Sequence, residues 1–199
     1  MSKIITIGRQ FGSGGWEVGK RLSMALDVPF YDKEIINLAA KNSGISKELF
    51  EDFDERPTNS LLYSLSIGAY PFSPASSMPQ VPISDKIFFA QSDIIKNIAD
   101  EGPCVIVGRC SEYILRERSD VINVFIYGDF DIRVKRIMER DDLTEDKAIE
   151  KIKKTDKRRA SYHNYYADTR WGDLTSYDVC INSKIGIVNV VEMIKAALK

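Results

Sequence analysis

The stretch Ile4-Ile5-Thr6-Ile7-Gly8-Arg9-Gln10-Phe11-Gly12-Ser13-Gly14-Gly15-Trp16-Glu17-Val18 decides how the rest of the chain is read. A β-branched run enters a glycine cluster and leaves into a helical pattern. Ile4 to Ile7 is short and uniformly apolar, as in a buried parallel strand. After the glycines, Val18, Leu22, Ala25 and Leu26 fall on one helical face. Strand, glycine loop and helix in that order form an anion-binding device, because backbone amides at a helix start point at negative charge. The lysine form of this loop is G-x-x-x-x-G-K-[ST]. With Gly14 as the second glycine, the first falls at Arg9, the lysine at Gly15 and the hydroxyl at Trp16, so all three differ. The backbone part of the device remains in Gly12, Ser13, Gly14 and Gly15. Positive charge must come from elsewhere, and Arg9, inside the loop region and capable of bidentate phosphate contact, is the nearest candidate. The loop alone is equally compatible with a glycine-rich turn that binds nothing. A dinucleotide fingerprint, G-x-G-x-x-G, is incomplete, since Glu17 occupies its third glycine, although Asp32 stands where a ribose contact would.

Working outward, Cys104 to Val107, Val121 to Tyr127 and Tyr177 to Ile181 are further buried-strand candidates. A helix carrying Ile87, Phe88, Gln91, Ile94, Ile95 and Ile98 has Ser84 as its expected cap and Gly102 as its stop. Strands alternating with helices predict an α/β fold with a parallel sheet and a ligand at the strands' carboxyl ends. Arg109, just beyond an apolar strand, is therefore a candidate contact. Residues 56 to 82 are rich in proline and serine and read as a long surface excursion, while residues 133 to 170 are helical and charge-dense.

The 199 residues, 44% of them hydrophobic, suffice for one domain with a sizeable core. Lys and Arg number 28 against 29 Asp and Glu, a net charge of -1, which argues against a nucleic-acid partner. Three separated cysteines and the single His163 argue against a disulfide framework or a zinc site. No apolar run reaches membrane-spanning length, and residence in the cytoplasm is the expectation.

GRQFGSGG at residues 8–15, PFYDKEII at 29–36, VIVGR at 105–109, the arginine-rich segment from Arg133 to Arg140, DKRRASYHNYY at 156–166 and WGDLTSYDVCINS at 171–183 together resemble the cytidylate kinase-like family. The resemblance runs almost end to end. It implies a single P-loop kinase-like domain over residues 1–199, three-layered around a parallel sheet. An insertion over residues 32–84 would bind the nucleoside monophosphate acceptor, and a helical lid would span residues 133–170. The activity implied is phosphoryl transfer from ATP with Mg²⁺ to a small nucleotide. Gly12, Ser13, Gly14, Gly15 and Trp16 would cradle the donor phosphates; Asp32 would begin the acceptor region. Arg109 matches the arginine of a Gly-Arg-Asp motif that meets the acceptor phosphate, with Cys110 in place of the aspartate. Arg9 and Arg109, with Arg133, Arg158 and Arg159 of the lid, would supply catalytic charge, and Asp156 or Asp173 could help hold Mg²⁺. A stripe such as Arg133, Arg136 and Arg140 is more often a solvated face. Tyr162, Tyr165 and Tyr166 could stack on a base, although core packing is commoner for such aromatics, and His163 reads as an exposed helix residue. A different class of function, a nucleotide-binding regulator without transfer activity, would account for the missing lysine and hydroxyl.

Overall fold

The computed structural model describes residues 3–55 and 81–198. Among the described residues, five strands form one parallel sheet in the order β2-β3-β1-β4-β5. These are β1 (Ile4–Arg9), β2 (Phe30–Tyr31), β3 (Val105–Val107), β4 (Val121–Tyr127) and β5 (Val179–Asn182). The two-residue β2 has no apolar run of its own and is not evident in the sequence. The α-helices among the described residues are α1 (Gly15–Leu26), α2 (Glu34–Ser43), α3 (Lys47–Phe53), α4 (Ile83–Glu101), α5 (Ser111–Ile114), α6 (Phe130–Asp141), α7 (Glu145–Tyr166) and α8 (Ile187–Ala197).

The strands are apolar on both faces because both faces are covered. Successive residues of β1 point opposite ways. Ile5 and Ile7 pack with Val18 and Leu22 of α1 and with Val190 and Ile194 of α8. Ile4 packs on the other side with Ile35 of α2, Phe50 of α3 and Ile95 of α4. Three layers result. Thr6, polar in mid-strand, is buried and donates to Asn123 Oδ1 of β4 at 2.7 Å.

Two expectations about helix faces need correction. In α1, Val18 and Leu22 are buried and Leu26 is half-buried, but Ala25 is exposed, since the face turned to the sheet includes Gly19 and Ser23. α4 begins one residue before Ser84, with Pro82 at the cap position, so Ser84 lies buried inside the first turn. Gly102 does end that helix, at φ 136°.

β1 lies between β3, reached through β2, and β4, reached afterwards. The strand order therefore reverses at β1, leaving a crevice at its carboxyl end, where open α/β sheets place ligands. The glycine loop opens into that crevice. α6 and α7 form a helical pair over it, packed through Val134, Ile137, Ala148 and Ile152, with Phe11 of the loop against them. Of the expected acceptor insertion, residues 56–80 lie outside the described residues. Among those described, no helix is long and apolar enough to cross a membrane.

Candidate functional site

The loop after β1 is held by its edges, while the amides that open α1 point away from the loop's own bonds. Gly12 and Gly14 have φ of 80° and 84°, the left-handed region that favours glycine. The first intrahelical bond of α1 is donated by Val18 N–H to the Gly14 carbonyl at 2.9 Å. The amides of Gly15, Trp16 and Glu17 precede it and are the orphan donors of the helix start. The loop's outer edge is secured by charged side chains from α6 and α7. Asp156 Oδ1 accepts from Phe11 N–H at 2.7 Å, Arg133 donates to the Phe11 carbonyl at 3.1 Å, and Arg136 donates to the Gly12 carbonyl at 2.9 Å. Ser13 Oγ is turned inward, donating to the Gln10 carbonyl at 2.9 Å.

Gly15 is required for proximity and not for a special dihedral. A Cβ there would lie 2.6 Å from Arg9 Cβ. At Gly14 a Cβ would meet Ile187 Cδ1 at 2.6 Å and Arg136 Nη1 at 2.8 Å. The loop, α6, α8 and the end of β1 thus approach more closely than added side chains would permit.

A cleft of about 510 Å³ opens in front of the loop. Its lining includes Arg9, Gly12, Gly14, Gly15, Trp16 and Asp32, together with Arg136, Arg140 and Arg159. Trp16, in the position a loop hydroxyl would take, is 53% exposed and meets Phe30 edge-on. Arg140 and Arg159 both lie over the Phe11 ring, at 5.0 and 5.7 Å from its centre.

Behind the cleft the arginines are matched by acids. Arg9 Nη1 donates to Glu55 Oε1 at 2.7 Å and Arg159 Nε to Glu55 Oε2 at 3.0 Å. Arg109, 3% exposed, reaches Asp32 Oδ1 and Asp54 Oδ2, each at 3.1 Å. Burial opposes charge on Arg9, Glu55, Asp54, Arg109 and Arg159. For Glu55 the nearby Arg9, Arg159 and Arg109 outweigh burial and hold its carboxyl well below the usual range. For Asp54 burial wins over Arg109 and the carboxyl is raised. The Arg109 guanidinium is raised despite burial, because Asp54, Asp32 and Glu55 surround it. Arg159 is lowered by burial and by Arg9 beside it. Three arginines face three carboxylates here, and among the described residues Arg136 and Lys33 are the cleft cations outside such ion pairs.

The residues singled out in the sequence divide accordingly. Arg9, Gly12, Gly14, Gly15, Trp16, Asp32 and Arg159 share the cleft, with Ser13 beneath it. Arg109 shares a smaller space of about 20 Å³ with Arg9, Arg159 and Cys110. Arg133 is buried behind the loop, with Asp156 Oδ2 at 2.6 Å, and Arg158 lines neither space. Both Asp156 oxygens are occupied by Phe11 N–H and Arg133, and Asp173 caps a turn by accepting from Thr175 N–H at 2.9 Å and its hydroxyl at 2.7 Å. Among the described residues no three His, Cys, Asp or Glu side chains are grouped to hold a metal ion. His163 corrects the expectation of an exposed residue. It is 2% exposed, with Nε2 3.0 Å from Glu112 Oε1, because α7 turns that face onto the sheet end. Tyr162 and Tyr166 pack on Phe88 of α4, with Tyr166 stacked at 3.9 Å. Asp54 and Glu55 had no signal in the sequence, where they are two acids at the end of a short helix.

The profile of the cytidylate kinase-like family matches residues 4–185. The chain belongs to the cytidylate kinase-like family. This family member is similar to a crystal structure of an uncharacterized protein from Eubacterium ventriosum, at 32% identity over 98% of each chain with a TM-score of 0.72. Its fold is also that of a shikimate kinase from Bacteroides thetaiotaomicron, at 15% identity over 100% of this chain and 99% of that one, with a TM-score of 0.57. A gluconokinase from Sinorhizobium meliloti aligns at 15% identity over 99% and 91% of the two chains, with a TM-score of 0.52. At such identity these two kinases show the P-loop kinase fold alone. No curated protein matches this family member significantly.

Proposed function

We propose that this chain is a P-loop phosphotransferase that moves the γ-phosphoryl group of MgATP to a small nucleoside monophosphate of the cytidylate type. One observation carries the reading: the orphan amides of the glycine loop and the side chains of Arg9, Arg136 and Arg159, from three separate elements, converge on one cleft at the sheet's switch point. Phosphoryl transfer through a loose transition state depends on alignment and charge neutralisation, with little covalent work for the protein. Loop amides would hold the donor phosphates. Arg9 and Arg159 would face the transferring group and Arg136 the loop side, taking the place of the absent lysine. Asp32 and Arg109, just beyond the ends of β2 and β3, would begin the acceptor side. Among the described residues no three carboxylates are grouped for a resident ion and Ser13 Oγ is turned inward, so Mg²⁺ would arrive as part of the substrate MgATP.

A second reading is a regulator that binds nucleotide without turnover. It is favoured by Arg9 and Arg109, whose guanidiniums are already engaged by Glu55, Asp32 and Asp54. The deciding experiment is a screen of nucleoside monophosphates and other small acceptors with ATP and Mg²⁺, measuring ADP release beside nucleotide binding by calorimetry. Turnover with one acceptor supports the kinase. Binding without ADP release for any acceptor supports the regulator.

A further inference from the structure

Two cations of the cleft share a single counter-ion. Arg9 ends β1 and Arg159 lies on α7, 150 positions later, yet Arg159 Nη1 donates to the Arg9 carbonyl at 3.2 Å. Like charges this close repel, and they also cost solvation when buried. Glu55 bridges them, one carboxylate oxygen to each guanidinium. It is 5% exposed, and its backbone takes φ 51°, a left-handed conformation unfavourable for a residue with a side chain. That turn follows α3 directly and directs the side chain back to the arginines. Each guanidinium carries five N–H donors in a rigid fork, so one edge held by a carboxylate leaves donors for a phosphate. Glu55 does not line the cleft that Arg9 and Arg159 line. Its carboxylate fixes two neighbours from behind.

We infer that Glu55 is a positioning residue of the phosphotransfer site: its carboxylate sets the spacing and orientation of Arg9 and Arg159 so that both act on the same phosphoryl group. This rests on the phosphotransfer reading above. A carboxylate serving only to neutralise a folded cluster would affect stability, whereas a positioning carboxylate acts on the transition state after folding is complete.

The test uses the full chain as wild type, Glu55→Gln, Glu55→Asp, Arg159→Gln and the double variant Glu55→Gln/Arg159→Gln, each shown to be folded by circular dichroism. In arginine side-chain ¹⁵N spectra, the Arg159 Nε–H held by Glu55 gives a resolved, slowly exchanging signal in wild type that is lost in Glu55→Gln. In steady-state assays Glu55→Gln lowers kcat roughly tenfold to a thousandfold, on the scale of losing one preorganised charge contact, with the KM for ATP little changed. Glu55→Asp, which keeps the charge on a shorter arm, recovers part of that loss. The double variant loses less than the product of the two single losses, because the part of the Glu55 effect that runs through Arg159 is already gone. Full kcat in Glu55→Gln beside an active wild type overturns the inference, as does a double variant whose losses multiply. Should wild type bind an imidodiphosphate analogue of ATP and release no ADP with any acceptor, the phosphotransfer reading fails. The spectrum then decides the positioning role by itself: loss of the Arg159 Nε–H signal in Glu55→Gln supports it, and persistence overturns it.

Discussion

Gly15→Ala is the sharpest test of how the loop is built, because two effects of opposite sign compete. Gly15 opens α1 and is not among the residues of positive φ. Adding a methyl group at a compatible backbone position ordinarily stabilises by about 0.4–1 kcal/mol, by restricting the unfolded chain. Here the new Cβ would stand 2.6 Å from Arg9 Cβ and 3.0 Å from Arg9 Cγ. The first of these atoms is bonded to the backbone of β1 and cannot swing aside. Overpacking of that kind costs typically about 1–3 kcal/mol, so the net expectation is a destabilisation of about 0–2.6 kcal/mol. In a chain of this length each kcal/mol moves Tm by roughly 2–4 °C, giving a fall of up to about 10 °C by scanning calorimetry. The push on Arg9 also disturbs its pairing with Glu55, so any transfer activity falls with it. Gly15→Lys meets the same contact before its charge can help, and it lowers activity too. A raised Tm in Gly15→Ala refutes the steric argument. A faster Gly15→Lys, with Arg9→Ala harmless, would show a lysine loop that had lost its lysine and favour the regulator.

Arg109→Ala leaves Asp32 and Asp54 without their cation, a loss of about 3–5 kcal/mol for a buried pair, and it raises the acceptor KM while sparing that for ATP; Arg109→Lys recovers part. A raised ATP KM with the acceptor KM unchanged would reverse the two subsites. Glu55 has its folded pKa depressed, so its stabilisation is present above the unfolded value of about 4.3 and is lost as pH falls through the folded value. Urea midpoints should therefore drop below about pH 4, less steeply in Glu55→Gln, and an unchanged slope in that variant would remove Glu55 from the acid transition. Burial pushes the Cys104 thiol up to about 12 and Cys110 well above its ordinary value, so at pH 8 a thiol reagent should label half-buried Cys180 first and the other two only on unfolding. Rapid labelling of Cys104 or Cys110 in the native protein would contradict their burial.

The sequence by itself determined the parallel sheet and the position of the loop. Ile4 to Ile7 and Val121 to Tyr127 are apolar apart from Thr6 and Asn123 and do not alternate, the pattern of a strand covered on both faces, and Gly12 to Gly15 punctuate the strand-to-helix turn through local backbone geometry. The place of Arg109 beyond the end of β3 was legible for the same reason, next after Gly108 at the end of an apolar run. Tertiary structure decided which partner each charge meets. Arg133 and Arg136 differ by three positions on one helix, yet one is buried against Asp156 and the other reaches into the cleft. Helical periodicity gives a side chain's direction and says nothing of what waits there. His163 looks like a polar helix residue until α7 is laid across the sheet end beside Glu112. Glu55 carries no local signature, because its role exists only when β1, the end of α3 and α7 meet. Pairings between residues 46 and 104 positions apart depend on chain topology, and a carboxylate's chemistry is set by the cations that topology brings to it.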